Sequence, residues 1–376
     1  MPVIQIDELG TKFYYHDSGV PVLTDRPYTT LVILHDIFHK LLPIAAASHI
    51  RLILVNRRGY QGSTPLSDSD TDPPEYTVED DSHNSSRSAD RRRLDFYTTY
   101  LQARAGELAR FLVKFIETES IPLKIESPGR ASGGLALMGW SLGNVTTLSL
   151  LAFANTLDPS MMNTLDAYLR KFIIFDPPHH ALGYPTPPGG YNPYFDEEIP
   201  VAQREPRFSI WVSGYYSHSS AIFDTEIPIP ELFAPGVLEQ KNPNPKKPST
   251  LTRLTPTDVS KGLEKVTKAH GDHFMLDEKS HPVHRKVLLR ALFGDYNDGN
   301  SVMALPNTQI AYIWCTESVW ETPYAARSLQ AEIESPPPHH YVQRSVEFIP
   351  FEGANHYPHY DDPLKALAKF ASAIEY

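Results

Sequence analysis

Across residues 136–144 an apolar run enters Gly139-Trp140-Ser141-Leu142-Gly143 and passes at once into Asn144-Val145-Thr146-Thr147-Leu148-Ser149-Leu150-Leu151-Ala152-Phe153, whose spacing is helical. The pattern predicts a strand over residues 134–138 and a helix over 145–153, joined by a very tight bend. Such a bend tolerates little bulk beside its apex. Gly139 and Gly143 stand two residues before and two after Ser141, where side chains would collide as strand and helix close together. Ser141 is thereby expected in a strained backbone conformation with its hydroxyl above the sheet, and the N–H of Leu142 points the same way from the helix N-terminus. A nucleophile and half of an oxyanion hole result.

The rest of the chain reads as alternating strands and helices. A paired β-entry is expected at residues 3–6 and 12–15, and buried strands at 30–34, 50–55, 171–175, 308–314 and 345–350. Between them, Leu101, Leu108, Phe111, Leu112, Phe115 and Ile116 fall on one helical face, and further helices are expected at 161–170, 324–333 and 364–374. This order predicts an α/β fold with a mostly parallel, doubly wound sheet. From about residue 179 to 300 the rhythm breaks into Pro, Tyr and His, as in Tyr184-Pro185-Thr186-Pro187-Pro188. That segment is read as an inserted, mainly helical cap with a helix near 282–293, giving a core of residues 1–176 and 300–376 and a cap of 177–299. Residues 67–90 are Ser, Asp, Glu and Pro with almost no large apolar side chains, and read as a mobile loop. No internal repeat is evident.

Composition narrows the partners. A chain of 376 residues with 41% hydrophobic and 21% charged residues has the make-up of a soluble globular protein. A formal net charge of −11 argues against nucleic acid or an anionic membrane as the main partner, and Arg91-Arg92-Arg93 follows an acidic stretch that offsets it. The lone cysteine, Cys315, cannot form an internal disulfide and fits a reducing compartment. No N-terminal signal pattern and no apolar run near the roughly 20 residues of a membrane span are present, so a cytoplasmic enzyme is the expectation.

The strand, Gly-x-Ser-x-Gly turn and helix resemble the α/β-hydrolase superfamily. The resemblance implies that the strand ending in His35-Asp36-Ile37-Phe38 is followed by a second oxyanion N–H, on Ile37 or Phe38, although Asp36 stands where glycine is usual. Asn56-Arg57-Arg58-Gly59-Tyr60-Gln61-Gly62-Ser63 is similar to the superfamily's glycine-rich turn, with Arg58 as a hydrogen-bonding strut. His49, at the far end of its strand, reads as structural.

A serine hydroxyl needs a base to take its proton. His356 follows the last strand in Gly353-Ala354-Asn355-His356, matching the superfamily's Gly-x-x-His pattern, and nearby His359 ranks below it. In most relatives the orienting acid follows the strand at 308–314, but there the pattern puts Ser318 where aspartate belongs. Asp176, at the end of the preceding strand before Pro177-Pro178, occupies the place used by other relatives. It is preferred as the acid, with Glu317 and Glu321 as alternatives.

The chain also resembles capped α/β-hydrolases of fungal secondary-metabolite and toxin pathways, through its Asp-Pro-Pro strand end and Asn355-His356-Tyr357-Pro358-His359-Tyr360-Asp361-Asp362-Pro363. This implies an esterase, thioesterase or lactonase acting on a medium-sized, apolar small molecule such as a polyketide or peptide-like product. A lyase or cyclase using the triad for proton transfer, and a non-catalytic binding protein, are the alternatives. No cofactor is expected, since no nucleotide loop is present. No metal is expected either: His270/His273 and His281/His284 have His-x-x-His spacing, but Pro282 interrupts the second pair and no thiolate is near.

Overall fold

Runs such as Leu31-Val32-Ile33 and Phe172-Ile173-Ile174-Phe175 are apolar at consecutive positions, so a sheet built from them needs cover on both faces. The computed structural model, which describes residues 2–22, 27–71, 85–127, 130–255, 258, 273–297, 300–336 and 342–375, meets that demand. Its main sheet contains β1 (Val3–Gln5), β2 (Lys12–Asp17), β3 (Thr29–Ile33), β4 (Ile50–Asn56), β5 (Leu135–Trp140), β6 (Leu169–Phe175), β7 (Gln309–Cys315) and β8 (Val346–Phe351). The strand order is β1-β2-β4-β3-β5-β6-β7-β8. The β1–β2 and β2–β4 pairs are antiparallel and every other pair is parallel.

Alternate residues of the central strands serve opposite layers, as a two-residue period requires. Val32, Leu137, Phe172, Ile174 and Tyr312 pack into one apolar cluster. Leu31, Ile33, Ala136, Met138, Ile173 and Phe175 pack into another. The first cluster is roofed by α1 (Ser85–Glu119) and α2 (Asn144–Phe153), and all six apolar residues expected on one face of α1 lie in it. After α3 (Pro159–Tyr168), α4 (Val201–Val212), α5 (His281–Phe293) and α6 (Glu321–Glu334), the closing helix α7 (Pro363–Glu375) covers the second. Beside α7 lies a 3-10 helix, Asp36–Ser48, that contains Pro43. The fold is therefore a doubly wound α/β sheet, with an insertion between β6 and β7.

That insertion carries α4 and a series of short 3-10 turns, among them His179–Leu182, Ser220–Phe223, Ile229–Phe233 and Thr250–Arg253. The helix expected near 282–293 is α5, and its Val283, Val287 and Leu288 share a cluster with Val145 and Leu148 of α2. The insertion is anchored to the loop after β8. Asp361 accepts hydrogen bonds from Tyr215 Oη, from Thr250 Oγ1 at 2.6 Å and from Arg253 Nη2 at 2.6 Å, while Asn355 Nδ2 donates to the Ser213 carbonyl at 2.7 Å. Of the loop expected at 67–90, residues 72–84 lie outside the described residues. Among the described residues, no helix is long and apolar enough to cross a membrane.

Candidate active site

β5 stops at Trp140, and Ser141 adopts a left-handed φ of 52°, which a non-glycine residue takes only under strong constraint. A single 3-10 turn, Ser141–Gly143, then leads into α2. The two flanking glycines differ. A Cβ on Gly139 would sit 2.3 Å from Thr147 Oγ1 and 2.7 Å from Asn144 Oδ1, so only glycine lets α2 close against the strand. A Cβ on Gly143 would meet nothing within 4 Å, and its φ of −58° is helical. The expectation that both glycines are sterically required is thus corrected to Gly139 alone. Ser141 is half-buried, and its carbonyl accepts from Asn144 Nδ2 at 2.8 Å.

Asp176 follows β6 directly and also has a left-handed φ, of 46°. Its N–H is tied to the Ile313 carbonyl at 2.8 Å, and Pro177 and Pro178 stop the strand from continuing. The carboxylate is fully buried and accepts three hydrogen bonds: from His356 Nδ1 at 2.6 Å, Ser318 Oγ at 2.9 Å and Cys315 N at 2.8 Å. Because Nδ1–H is donated to the acid, the neutral imidazole keeps its acceptor lone pair on Nε2. The ring is also held from the side. Trp140 stacks on it with centroids 4.8 Å apart, and Trp140 Nε1 donates to the His356 carbonyl at 3.2 Å. The structure therefore joins His356 to Asp176 directly. Ser141 connects to them through its neighbour Trp140, and among the described residues no hydrogen bond joins the serine hydroxyl to the imidazole.

The alternative acids stand elsewhere. Glu317 forms an ion pair with Lys247 at 2.6 Å. Glu321 opens α6, and burial pushes its carboxyl up to about 7 against one lowering contact, from Asn192 Nδ2 at 3.1 Å. Neither touches His356. His359 is fully buried and stacked on Phe38 at 4.1 Å, and burial holds its imidazole well below the usual range.

Of the two N–H groups expected after β3, that of Ile37 donates to His35 Nδ1 at 3.1 Å. Phe38 packs edge-on to Trp140. Asp36, in the place of the usual glycine, is buried and accepts from Asn56 Nδ2 at 3.2 Å. Burial raises its carboxyl, but the contacts with His35 and Asn56 outweigh that and leave it below the ordinary value. Arg58 bonds Glu107 at 3.0 Å, Asp70 at 2.9 Å and the Pro65 carbonyl at 3.0 Å, a strut as expected.

The sequence profile of the alpha/beta hydrolase family matches residues 31–370. The chain belongs to this family. No curated protein sequence matches it. Among solved structures it is similar to wild-type Cfl2 from Burkholderia cenocepacia, with 11% identity, 98% of this chain and 94% of that chain covered, and a TM-score of 0.44. It is also similar to a putative aryl esterase from the same organism (12%, 97% and 94%, 0.43) and to the epoxide hydrolase VrEH1 from Vigna radiata (13%, 99% and 95%, 0.40). Membership makes the protein a hydrolase-type α/β enzyme.

Three residues past Asp176 stand two consecutive histidines that spacing rules do not single out. His179 and His180 meet Glu321 there, with one ligating atom from each within 4.8 Å of the others. Of the histidine pairs considered instead, His270 lies outside the described residues, His281 stacks on His180, and His284 Nδ1–H donates to the His180 carbonyl at 2.9 Å.

Proposed function

We propose that the protein is a serine hydrolase that cleaves an ester, thioester or lactone through an acyl-enzyme, with Ser141 as nucleophile, His356 as base and Asp176 as the orienting acid. The observation that carries this reading is the 2.6 Å hydrogen bond from His356 Nδ1 to a buried, three-fold satisfied Asp176, beside a serine held at a left-handed φ. In the first step Ser141 Oγ attacks the carbonyl carbon and its proton passes to His356 Nε2. The oxyanion is held by the N–H of Leu142 and by a second backbone N–H from the segment after β3, that of Ile37 or Phe38. Collapse expels the alkoxide or thiolate, which takes the proton from His356. Water then attacks the acyl carbon with His356 again as base, and the acid leaves as Ser141 regains its proton.

Residues 177–299 act in this reading as the lid over the site. Its Tyr, Trp and Phe content supports a medium-sized apolar substrate in general terms. A place in secondary metabolism follows from the pathway resemblance alone, and a cytoplasmic setting from the single, buried Cys315.

The test is intact mass after exposure to a fluorophosphonate, comparing the native chain with Ser141→Ala and His356→Ala. One adduct that needs both residues is expected, together with an ester or lactone rate that falls by about 10⁶ in Ser141→Ala. No adduct on the folded native protein would sink the acyl-enzyme and leave proton-transfer chemistry of the lyase or cyclase kind, or ligand binding.

A further inference from the structure

β6 and β7 lie side by side, so the segments that leave their C-terminal ends are neighbours. After β6 the chain turns through Asp176 into the 3-10 turn His179–Leu182. After β7 it passes Ser318 and begins α6 at Glu321. This adjacency brings together two imidazoles and one carboxylate, an N2O donor set suited to zinc-like divalent ions.

His179 and Glu321 are each held as a ligand would be, with one polar atom engaged and another left over. His179 Nε2 bonds Thr186 Oγ1 at 3.1 Å, while its Nδ1 is buried with no partner. The ring is fixed by stacking on Trp320 at 5.2 Å. Glu321 Oε1 accepts from Asn192, and among the described residues no cation compensates this buried carboxylate. His180 is positioned through its backbone carbonyl, which accepts from His284 Nδ1–H at 2.9 Å, and the residue as a whole is only partly buried.

We propose that His179, His180 and Glu321 bind one divalent transition-metal ion of the zinc type. His179 Nδ1 ligates while its Nε2–H is donated to Thr186, and Asn192 steadies the carboxylate, the outer-shell arrangement that orients metal ligands. Bonds of roughly 2.0–2.2 Å to a central ion require ligand atoms about 3–4 Å apart, so the cluster, whose atoms lie within 4.8 Å of one another, contracts by up to roughly 1–1.5 Å on binding. The ion ties the segment after Asp176 to the start of α6. The two strand ends that supply Asp176 and Ser318 are thereby braced. The proposal does not depend on the serine-hydrolase reading.

The full chain, stripped with a chelator and dialysed, is titrated with zinc sulfate by calorimetry, and bound zinc is counted by elemental analysis. One equivalent per chain is expected, with a rise in melting temperature. Thr186→Val is expected to weaken binding roughly 10–100-fold, and His179→Ala combined with Glu321→Gln to abolish it. Cobalt(II) loaded into the native chain reads the site without any substitution. Visible d–d bands with no thiolate charge-transfer band are expected. Absence of saturable binding by the native chain, or a full equivalent retained by the folded double variant, would overturn the proposal. Fluorophosphonate labelling, followed in parallel, reports separately on Ser141.

Discussion

Two buried carboxylates, Asp176 and Glu321, stand at the ends of adjacent strands and differ in almost everything that decides what a buried charge can do. Asp176 has donors on both oxygens, drawn from a histidine, a serine and a backbone N–H. Glu321 has one amide donor and no opposing charge among the described residues, and burial pushes it up to about 7. A carboxylate surrounded by donors is a fixed negative charge that can orient an imidazole. One left short of partners is a demand that a cation can meet. Position relative to the sheet edge does not separate the two; hydrogen-bond supply does.

The largest effect should come from neutralising the satisfied partner. Asp176→Asn is expected to lower kcat for an activated ester by about 10⁴ with the fold intact by circular dichroism. An unchanged rate would remove Asp176 from the triad. Adding Ser318→Asp to that variant moves the charge to the segment after β7, within the same hydrogen-bonding set. Recovery of about 10-fold or more of the lost rate is expected, and no recovery would mean that only the β6 position can orient His356. Glu321→Gln, measured by urea unfolding of metal-stripped protein, should leave kcat near that of the native chain and raise stability by on the order of 1 kcal/mol, because it removes an uncompensated buried charge. A loss of stability would instead expose an ionic partner for Glu321. The smallest effect belongs to Glu317→Gln at the partly exposed Lys247 pair. Less than about 0.5 kcal/mol and no change in rate are expected, and a rate loss would reinstate Glu317 as a competitor for the acid role.

Much of this is legible in the sequence alone, and the reason is local. The bend at Ser141 is encoded by neighbours in sequence, an apolar run, a glycine and a helical period, so strand, turn and helix could be read together. Asp176 was legible as a strand end stopped by two prolines. Its rank over Glu317 and Glu321 was weaker, because the contacts that distinguish it come from Cys315, Ser318 and His356, all distant in sequence. Ser318, which stands where the superfamily pattern has an acid, donates its hydroxyl to Asp176 instead. Gly143 was over-read, since a glycine in a motif does not say whether space around it is tight. The His179-His180 pair was overlooked because its third member lies beyond the whole insertion. Spacing rules capture ligands that share an element, and these share only the adjacency of β6 and β7. The one available signal was two histidines immediately after Asp176-Pro177-Pro178.

The indole of Trp140, stacked on the imidazole of His356, also gives the site an optical readout. A protonated imidazole lying on an indole face quenches its emission, whereas a neutral one does so far less. Arrival of a proton at this imidazole, or its displacement by an inhibitor, should therefore register as a change in tryptophan fluorescence. With Trp140→Phe as the blank against the other three tryptophans, His356 can be watched in stopped flow without any chromogenic substrate.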